Sequence, residues 1–247
     1  MSLIPDTICL FDVDGTLTKA RQVITDDMYQ FMMQMREKVM CGLVGGSDLE
    51  KIAEQLGGME ALMKFDYVFT ENGLVSYKKG QLLNEEDILN YMGEEKLQTF
   101  INFALKYMSE LKLPAKRGTF VEFRKGLINI CPIGRSCSQQ ERDQFFAYDQ
   151  VHHIRRKFVR TLEEKFSDSG LVFSIGGQIS FDAFPKGWDK TYALQFVEKD
   201  YKTIHFFGDR TNKGGNDYEI FEDQRTIGHK VTSPDDTKAQ LINLFDL

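Results

Sequence analysis

Long apolar runs, cysteine pairs and an excess of positive charge are all missing from this chain, and each absence excludes a class of protein. No apolar run approaches the ~20 residues that a membrane-spanning helix needs, so we expect no membrane span. The 247 residues include four cysteines, none of which forms a Cys-x-x-Cys pair. Histidine is scarce around them, so the sequence does not predict a zinc site.

The charge balance and the N-terminus indicate the setting of the protein. A net charge of -6 argues against nucleic acid as the main partner. The N-terminus lacks a basic region followed by a long apolar stretch, which argues against a secretory signal. We therefore expect reduced cysteines and a cytoplasmic location. The length suffices for one large domain or two modest ones.

Short apolar strands alternate with amphipathic helices in the first third of the chain. Strands are predicted at 7–11, 41–44 and 67–69. Thr25 and Ser47 are each predicted to cap a helix, and the helix after Ser47 is expected to span 49–56. The strand–helix–strand order is typical of a parallel sheet.

The pattern changes after about Asn84, where antiparallel signals replace the parallel ones. The predicted elements are a helix at 97–111, a hairpin of 120–124 with 127–131, a long helix that begins at a Ser138 capping box and ends before Gly170, and a hairpin of 171–175 with 178–184. The second hairpin is expected to turn at Gly176-Gly177. The charged run 152–157 is expected to be the solvated face of the long helix.

The parallel pattern resumes near Trp188. The predicted elements are a helix at 191–199, a strand at 203–207, a helix at 216–221, a strand at 226–231 and a last helix at 237–245. The sequence therefore predicts an α/β core with a Rossmann-like parallel sheet, formed by residues 1–84 and 188–247. Residues 85–187 are predicted to form an inserted α+β cap domain with an antiparallel sheet.

Two carboxylates, Asp12 and Asp14, follow the first strand directly, and Gly15 permits a tight turn after them. Open α/β sheets bind ligands at the carboxyl ends of their strands, and Mg²⁺ prefers carboxylate and phosphate oxygens. One aspartate can attack phosphorus to give an aspartyl-phosphate, and the other can transfer protons. The alternative is a surface turn, because Asp-Gly is a common turn dipeptide.

Three further segments could converge on these acids. Gly45-Gly46-Ser47 offers a hydroxyl and helix-start amides to an anion. Lys190 can neutralise an attacked phosphate, and Asp209 can complete the carboxylate set of a metal. Each segment also has a plain structural alternative. Ser47 could only cap a helix, Lys190 could be a solvated surface lysine, and Asp209 could be a turn or cap residue. Their order along the chain favours the catalytic interpretation.

These motifs resemble those of the haloacid dehalogenase-like phosphotransferases, and longer runs resemble the eukaryotic-type phosphomannomutases. The runs are DVDGT at 12–16, RGTFVEFR at 117–124, PIGRS at 132–136, SFDAFP at 180–185, GWDK at 187–190 and GGND at 214–217. The resemblance covers essentially the whole chain. One departure is Arg210, where many relatives have lysine.

The resemblance implies that the protein interconverts mannose 6-phosphate and mannose 1-phosphate, with a hexose 1,6-bisphosphate as activator. It also implies that the product feeds GDP-mannose synthesis. Asp12 would be the phosphorylated nucleophile and Asp14 the general acid/base, with Ser47 and Lys190 as further catalytic residues. Mg²⁺ would be held by Asp12, the backbone carbonyl of Asp14, and Asp209. A second cation would lie at Phe221, Asp223 and Thr226. The sugar phosphate would be held by Arg21, Arg124, Arg135, Arg142, Ser180 and Asp182. The resemblance also implies a homodimer that forms through the cap.

The residue types of the middle segment support this interpretation independently. Ser180 and Asp182 alternate onto one face of a predicted strand, which suits sugar hydroxyls. The side chains of Arg124, Arg135 and Arg142 are rigid forks that match phosphate oxygens. A mutase needs such a second phosphate receptor, whereas a simple phosphatase does not. The alternative is that these arginines form weak surface ion pairs.

Two other functions stay open at this point. A sugar-phosphate phosphatase on the same fold would release free phosphate and would not need all three arginines. A non-catalytic regulator that binds a sugar phosphate would have no use for a nucleophile, so the intact acid pair argues against it. The sequence does not decide between mannose and glucose phosphates, so some activity on glucose phosphates is also open.

Overall fold

A seven-stranded sheet forms the centre of the first of two units. The computed structural model describes residues 3–20 and 22–246, and the chain divides into a core unit, Met1–Glu85 with Gly187–Leu247, and a second unit, Glu86–Lys186. The strands of the core sheet are β1 (Thr7–Phe11), β2 (Met40–Val44), β3 (Tyr67–Thr70), β4 (Val75–Lys78), β5 (Gln81–Glu85), β10 (Thr203–Gly208) and β11 (Ile227–Lys230). Their order is β11-β10-β1-β2-β3-β4-β5, and all neighbours are parallel except at β4 and β5. The mostly parallel sheet confirms the predicted α/β core.

Helices cover both faces of this sheet. They are α1 (Asp26–Met35), α2 (Leu49–Gln55), α3 (Met59–Leu62), α8 (Tyr218–Phe221), α9 (Pro234–Phe245) and the 3₁₀ helices Glu71–Gly73 and Lys190–Phe196. Side chains of β1 alternate between two apolar clusters, so that Phe11 packs with α1 and α2 and Leu10 packs with the second 3₁₀ helix. Every residue of β1 is buried as a result, as expected for a central parallel strand.

The order of the strands creates a crevice beside β1. The chain runs from β1 through β2 to β3 on one side, and later returns through β10 and β11 on the other. At such a change of direction the loops after neighbouring strands separate and leave room for a ligand. The loop after β1 is also tied to α9, because Thr237 Oγ1 donates to the carbonyl of Thr16 at 2.8 Å.

Several predicted boundaries in the core unit are wrong. β4 and β5 were not predicted. For β5 the reason is that it is an exposed edge strand, which carries Leu82 and Leu83 side by side and shows no alternation. The helix expected at 191–199 is the 3₁₀ helix Lys190–Phe196, and the helix expected at 216–221 is only the four residues of α8. Asp48, not Ser47, caps α2, since its side chain accepts the amide of Lys51.

The second unit contains a four-stranded antiparallel sheet, as predicted. Its strands are β6 (Val121–Phe123), β7 (Ile128–Ile130), β8 (Leu171–Ser174) and β9 (Phe181–Pro185), in the order β6-β7-β9-β8. Its helices are α4 (Ile88–Met92), α5 (Glu94–Glu110), α6 (Gln139–His152) and α7 (Ile154–Lys165). Phe158 of α7 meets Phe181 of β9 with ring centroids 5.2 Å apart, which places α7 on the apolar face of the sheet.

The predicted long helix is in fact two helices. His153 has left-handed backbone angles (φ 54, ψ 41) and separates α6 from α7. Asp149 explains the break, because its carboxylate accepts the backbone amide of Arg155 at 2.9 Å and so caps the second helix from the first. Arg155 itself is only 3% exposed, so the expectation that run 152–157 is solvated is wrong for this residue.

The second predicted hairpin also differs. The turn is not a two-residue turn at Gly176-Gly177, because residues 175–180 form a longer loop between β8 and β9. The strands begin to pair only at Ser174 and Asp182. Ser180 therefore lies just before β9, while Phe181 and Ala183 are buried and Asp182 faces the other side.

No helix within the described residues is long and apolar enough to cross a membrane.

Candidate active site

Asp12 lies at the edge of the core sheet where β1 and β10 end. The backbone amide of Asp12 donates to the carbonyl of Phe207 at 2.9 Å, which extends the ladder between the two strands by one residue. The residue is only 4% exposed. The sequence prediction that this acid sits at the carboxyl end of a buried parallel strand is therefore confirmed.

Lys190 joins Asp12 to a second buried acid. Its Nζ donates to Asp12 Oδ1 and, at 2.6 Å, to Asp217 Oδ1. The other oxygen of Asp217 accepts the backbone amide of Arg210 at 2.9 Å. Lys190 and Asp217 are at most 1% exposed, so both charges are shielded from water. Lys190 is thus held on two sides and is not the solvated lysine of the alternative interpretation.

The electrostatics of this group follow from its burial. Burial raises the pKa of Asp12 to about 6; the charge of Lys190 opposes this shift and that of Asp217 adds to it. Burial lowers the pKa of Lys190, but the charges of Asp12 and Asp217 outweigh it and the net pKa is raised. The ammonium therefore stays charged, and two carboxylates compete for one positive charge.

Three carboxylates in this region fit a divalent cation. Oxygens of Asp12, Asp209 and Asp217 lie within 4.8 Å of one another. Asp209 Oδ1 is buried without a hydrogen-bond partner among the described residues, and burial raises the pKa of this acid, with Asp217 acting in the same direction. An added positive charge would satisfy both observations, because hard cations take oxygen ligands.

The two acids next to Asp12 differ in what they can offer that cation. Both oxygens of Asp217 already accept hydrogen bonds, so this residue is better placed to hold Lys190 than to bind a metal. Asp209 keeps an unpartnered oxygen. Gly15 leaves room for it, since a Cβ on Gly15 (φ +82) would lie 2.7 Å from Asp209 Cγ. The sequence interpretation assigned no role to Asp217, although this residue ends the run GGND at 214–217.

Asp14 does not belong to that carboxylate group. Its Oδ1 instead accepts Gln55 Nε2 at 2.7 Å, and Gln55 is a buried residue at the end of α2. The role of the Asp14 side chain in proton transfer and that of its backbone carbonyl as a metal ligand both stay predictions. Gln55 was missed because a glutamine at the end of a helix carries no local signal.

A cavity of about 190 Å³ lies beside Asp12, Asp14 and Asp209. It is lined by Asp12, Val13, Asp14, Gly45, Gly46, Ser47, Ile52, Gln55, Asp209, Arg210 and Asn216. The predicted convergence of Ser47 and Asp209 with the two N-terminal acids is thus present in the structure. The cavity is smaller than the roughly 300 Å³ at which pockets begin to enclose a whole ligand, so it suits a phosphoryl group and a metal ion.

In the second unit, predicted substrate residues form one polar network. Arg124 donates to Glu122 Oε2 through Nε at 2.8 Å, and Arg135 Nε lies 3.2 Å from the same oxygen. Arg135 NH1 also donates to Asn129 Oδ1 at 2.8 Å. Arg124 and Arg135 therefore both contact the carboxylate of Glu122. Glu122 and Asn129 were not predicted as site residues.

Ser180 and Asp182 join the same network through Asn129. Asn129 Nδ2 donates to Ser180 Oγ at 3.1 Å and to Asp182 Oδ1 at 2.6 Å. Arg142 is half-buried near the start of α6. Arg21, the remaining predicted sugar-phosphate residue, lies outside the described residues.

The predicted second cation loop is already occupied by a positive charge of the chain itself. Arg225 donates to Asp223 through Nε and NH2, both at 2.8 Å. These bonds lower the pKa of Asp223, although burial opposes the shift. Thr226 Oγ1 donates to the carbonyl of Ile220 at 2.6 Å. Since a cation at Phe221, Asp223 and Thr226 would compete with Arg225, this site stays a prediction.

Comparisons with known proteins agree with these observations. A sequence model of the family described as eukaryotic phosphomannomutase matches residues 28–247. A phosphomannomutase from Oryza sativa subsp. indica is 59% identical over 238 residues, which cover 96% of this chain and 95% of the relative. A phosphomannomutase from Galdieria sulphuraria is 58% identical over 242 residues, which cover 98% and 96%.

Solved structures show a similar fold at low identity. A trehalose-6-phosphate phosphatase from Aspergillus fumigatus aligns with a TM-score of 0.64 and 13% identity, over 98% of this chain and 93% of that chain. A haloacid dehalogenase-like hydrolase from Bacteroides thetaiotaomicron aligns with a TM-score of 0.60 and 12% identity, over 97% and 99%. These likenesses concern the fold alone.

Proposed function

Because the chain belongs to the eukaryotic phosphomannomutase family, we propose that it interconverts mannose 6-phosphate and mannose 1-phosphate through an aspartyl-phosphate at Asp12. The observation that carries the proposal is the placement of this carboxylate. It is buried at the carboxyl edge of the sheet, in contact with Lys190 and within 4.8 Å of Asp209. A nucleophilic acid, a fixed ammonium and an unpartnered carboxylate oxygen are the groups that phosphoryl transfer requires.

The reaction divides into two half-reactions at one aspartate. In the first, the bond between phosphorus and the phosphorylated Asp12 breaks as a hydroxyl of the hexose monophosphate bonds to phosphorus, and Asp14 takes the hydroxyl proton. In the second, a carboxylate oxygen of Asp12 attacks the other phosphate of the bisphosphate. Asp14 then returns the proton to the sugar oxygen that leaves. A hexose 1,6-bisphosphate would prime the enzyme by the second half-reaction.

The chain's own residues set the charge and the geometry for these steps. Lys190 neutralises charge that gathers on the transferred oxygens, and Asp217 keeps its ammonium in place. Gln55 orients the carboxylate of Asp14 through its amide. Mg²⁺, when bound to Asp12, Asp209 and the carbonyl of Asp14, would supply further positive charge to the phosphoryl group.

The polar network of the second unit is proposed to hold the phosphate that is not reacting. Arg124 and Arg135 already share one carboxylate, which supports an anion-binding role for this surface. Ser180 and Asp182 would contact sugar hydroxyls beside it. We further propose activity on glucose phosphates, a cytoplasmic location, a homodimer that forms through the second unit, and a product that feeds GDP-mannose synthesis.

The central test replaces the nucleophile. Asp12→Asn protein is incubated with mannose 1-phosphate, a hexose 1,6-bisphosphate and Mg²⁺, and mannose 6-phosphate and free phosphate are measured separately. We expect the rate of isomerisation to fall by about 10³-fold or more, since a covalent nucleophile is lost. Asp235→Asn, which changes an exposed aspartate of α9, is the matched control and should retain normal activity. Conversion by Asp12→Asn at a near-normal rate would refute the assignment.

The same assay separates the mutase from a phosphatase. A mutase forms mannose 6-phosphate much faster than it releases free phosphate. A chain that released phosphate and formed no mannose 6-phosphate would be a sugar-phosphate phosphatase.

A further inference from the structure

Arg155 is a buried charge whose position is fixed from α6. Only 3% of its surface is exposed, and its Nε donates to Asp149 Oδ2 at 2.7 Å. Asp149 Oδ1 accepts the backbone amide of Arg155 at 2.9 Å. A buried arginine needs such a partner because desolvation of an unpaired charge is costly. Asp149 thus neutralises the guanidinium and also orients it.

The Nη1 nitrogen of Arg155 is directed at the loop before β9. It donates to the carbonyl of Gly177 at 3.0 Å and to that of Ser180 at 3.1 Å, and the carbonyl of Gly176 lies at 3.4 Å. One guanidinium nitrogen therefore contacts three carbonyls of the loop 175–180.

Elsewhere in this loop Ile179 is buried in the apolar cluster around Phe145, but the glycine pair has no packing of its own. A Cβ on Gly176 or Gly177 would meet no atom within 4 Å, so the chain there lies in open space. Glycine also loses more conformational freedom on ordering than any other residue. The contacts of Arg155 are therefore the anchor of the glycine pair.

The far end of the loop is Ser180, which is held from two sides. Its carbonyl accepts Arg155 NH1, and its hydroxyl accepts Asn129 Nδ2 at 3.1 Å. The same Nδ2 donates to Asp182 Oδ1 at 2.6 Å. Arg155 thus fixes the backbone from which Ser180 and Asp182 present their side chains, without itself belonging to the polar network.

We propose that Arg155 is a positioning residue for hexose-phosphate binding, which holds Ser180 and the glycine pair in the binding conformation before the ligand arrives. The inference rests on the proposed function, because it assumes that Ser180 and Asp182 contact the sugar phosphate. If the anchor is weakened, the ligand must order the loop itself, and that cost lowers its affinity. The chemistry at Asp12 belongs to the core unit and does not depend on the anchor.

The test uses Arg155→Lys, which keeps a positive charge beside Asp149 but loses the planar fork that reaches several acceptors. Arg156→Lys is the matched control, because Arg156 is the exposed neighbour on the same helix. Two activities are measured on each protein, namely isomerisation of mannose 1-phosphate and hydrolysis of acetyl phosphate, which carries no sugar. For Arg155→Lys we expect KM for the hexose phosphate to rise about tenfold, the effect of losing one hydrogen bond to a charged group. The kcat and the hydrolysis of acetyl phosphate should stay within about twofold, and Arg156→Lys should match the wild type.

The KM separates positioning from a purely structural role. A folded Arg155→Lys protein with unchanged KM overturns the proposal, even if its melting temperature falls. Should that variant not fold, the double variant Arg155→Gln with Asp149→Asn removes both charges together and is judged by the same KM criterion. Should neither fold, hydrogen exchange of the wild-type amides of Gly176 and Gly177 decides, because Arg155 contacts their carbonyls and no side chain packs on them. Protection in the free enzyme supports the proposal, and exchange at the rate of an unfolded chain overturns it.

Failure of the proposed function would look different. In that case the wild type itself would form no mannose 6-phosphate. The effect of Arg155→Lys is then measured as the dissociation constant of mannose 6-phosphate by calorimetry. A weakened affinity supports the proposal, and an unchanged affinity overturns it.

Discussion

Replacing Asp217 by asparagine should separate the residue that holds Lys190 from the residue that binds the cation. Asp217 is 0% exposed and accepts two hydrogen bonds, one from Lys190 Nζ at 2.6 Å and one from the amide of Arg210 at 2.9 Å. Asparagine keeps the shape of the side chain but presents an NH₂ group to one of these donors. One hydrogen bond is therefore lost and a donor is left facing a donor.

The magnitude follows from those two contacts. Loss of a hydrogen bond to a charged group costs about 2 kcal/mol. At about 2–4 °C per kcal/mol for a chain of this size, the melting temperature should fall by roughly 4–8 °C. Lys190 keeps its contact with Asp12 but loses its second anchor, so kcat should fall by about 10-fold to 100-fold.

The assay that decides the role is the dependence of the rate on Mg²⁺ concentration. Asp217→Asn should need at most about threefold more Mg²⁺ for half-maximal rate, because both oxygens of Asp217 are engaged by the protein. Asp209→Asn should need at least about tenfold more, because the unpartnered carboxylate oxygen is affected. Equal Mg²⁺ requirements in the two variants would refute the division of roles.

Two other predictions concern the backbone and pH. Gly15→Ala should raise the Mg²⁺ requirement at least about tenfold, because its Cβ would displace the carboxylate of Asp209. Gly57→Ala, at a similar φ of +88 but in open space, should cost about 1 kcal/mol of stability and no activity; equal activity of the two variants would contradict the steric argument. Burial lowers the pKa of His229 to about 4, with His205 acting in the same direction. In the unfolded chain the imidazole of His229 takes up its proton near pH 6.5. The free energy of unfolding should therefore be highest above that pH and should fall toward pH 4, by about 1 kcal/mol after allowance for solvent screening. Melting temperatures of wild type and His229→Gln between pH 7 and 5 check this, and parallel pH slopes would contradict it.

The elements that sequence predicts well are those with a strong local signal. The buried run of β1 followed by two acids and a glycine locates the site, because a central parallel strand is apolar throughout. The Ser138 capping box also predicts the start of α6. By contrast, β5 was missed, since an exposed edge strand shows no apolar alternation.

The residues that sequence misses are those defined by distant partners. Gln55 matters because of an acid 41 positions earlier, and Asp217 because of a lysine 27 positions earlier. Arg155 looked solvated because its neighbours are charged, yet it is enclosed by Asp149 and by carbonyls more than 20 positions later. No periodicity within a helix reports such pairings.

The bond between Thr237 Oγ1 and the carbonyl of Thr16 spans 221 positions, and this has a consequence for biosynthesis. The loop after β1 leaves the ribosome before α9 does, and it gains this partner only when α9 has been made. At 5–20 residues per second, the delay is about 10 to 45 s. A nascent chain therefore passes through a period in which β1 has been translated while its neighbour β10 is still missing. Removal of α9 should abolish activity, because the loop after β1 then lacks its bond to Thr237.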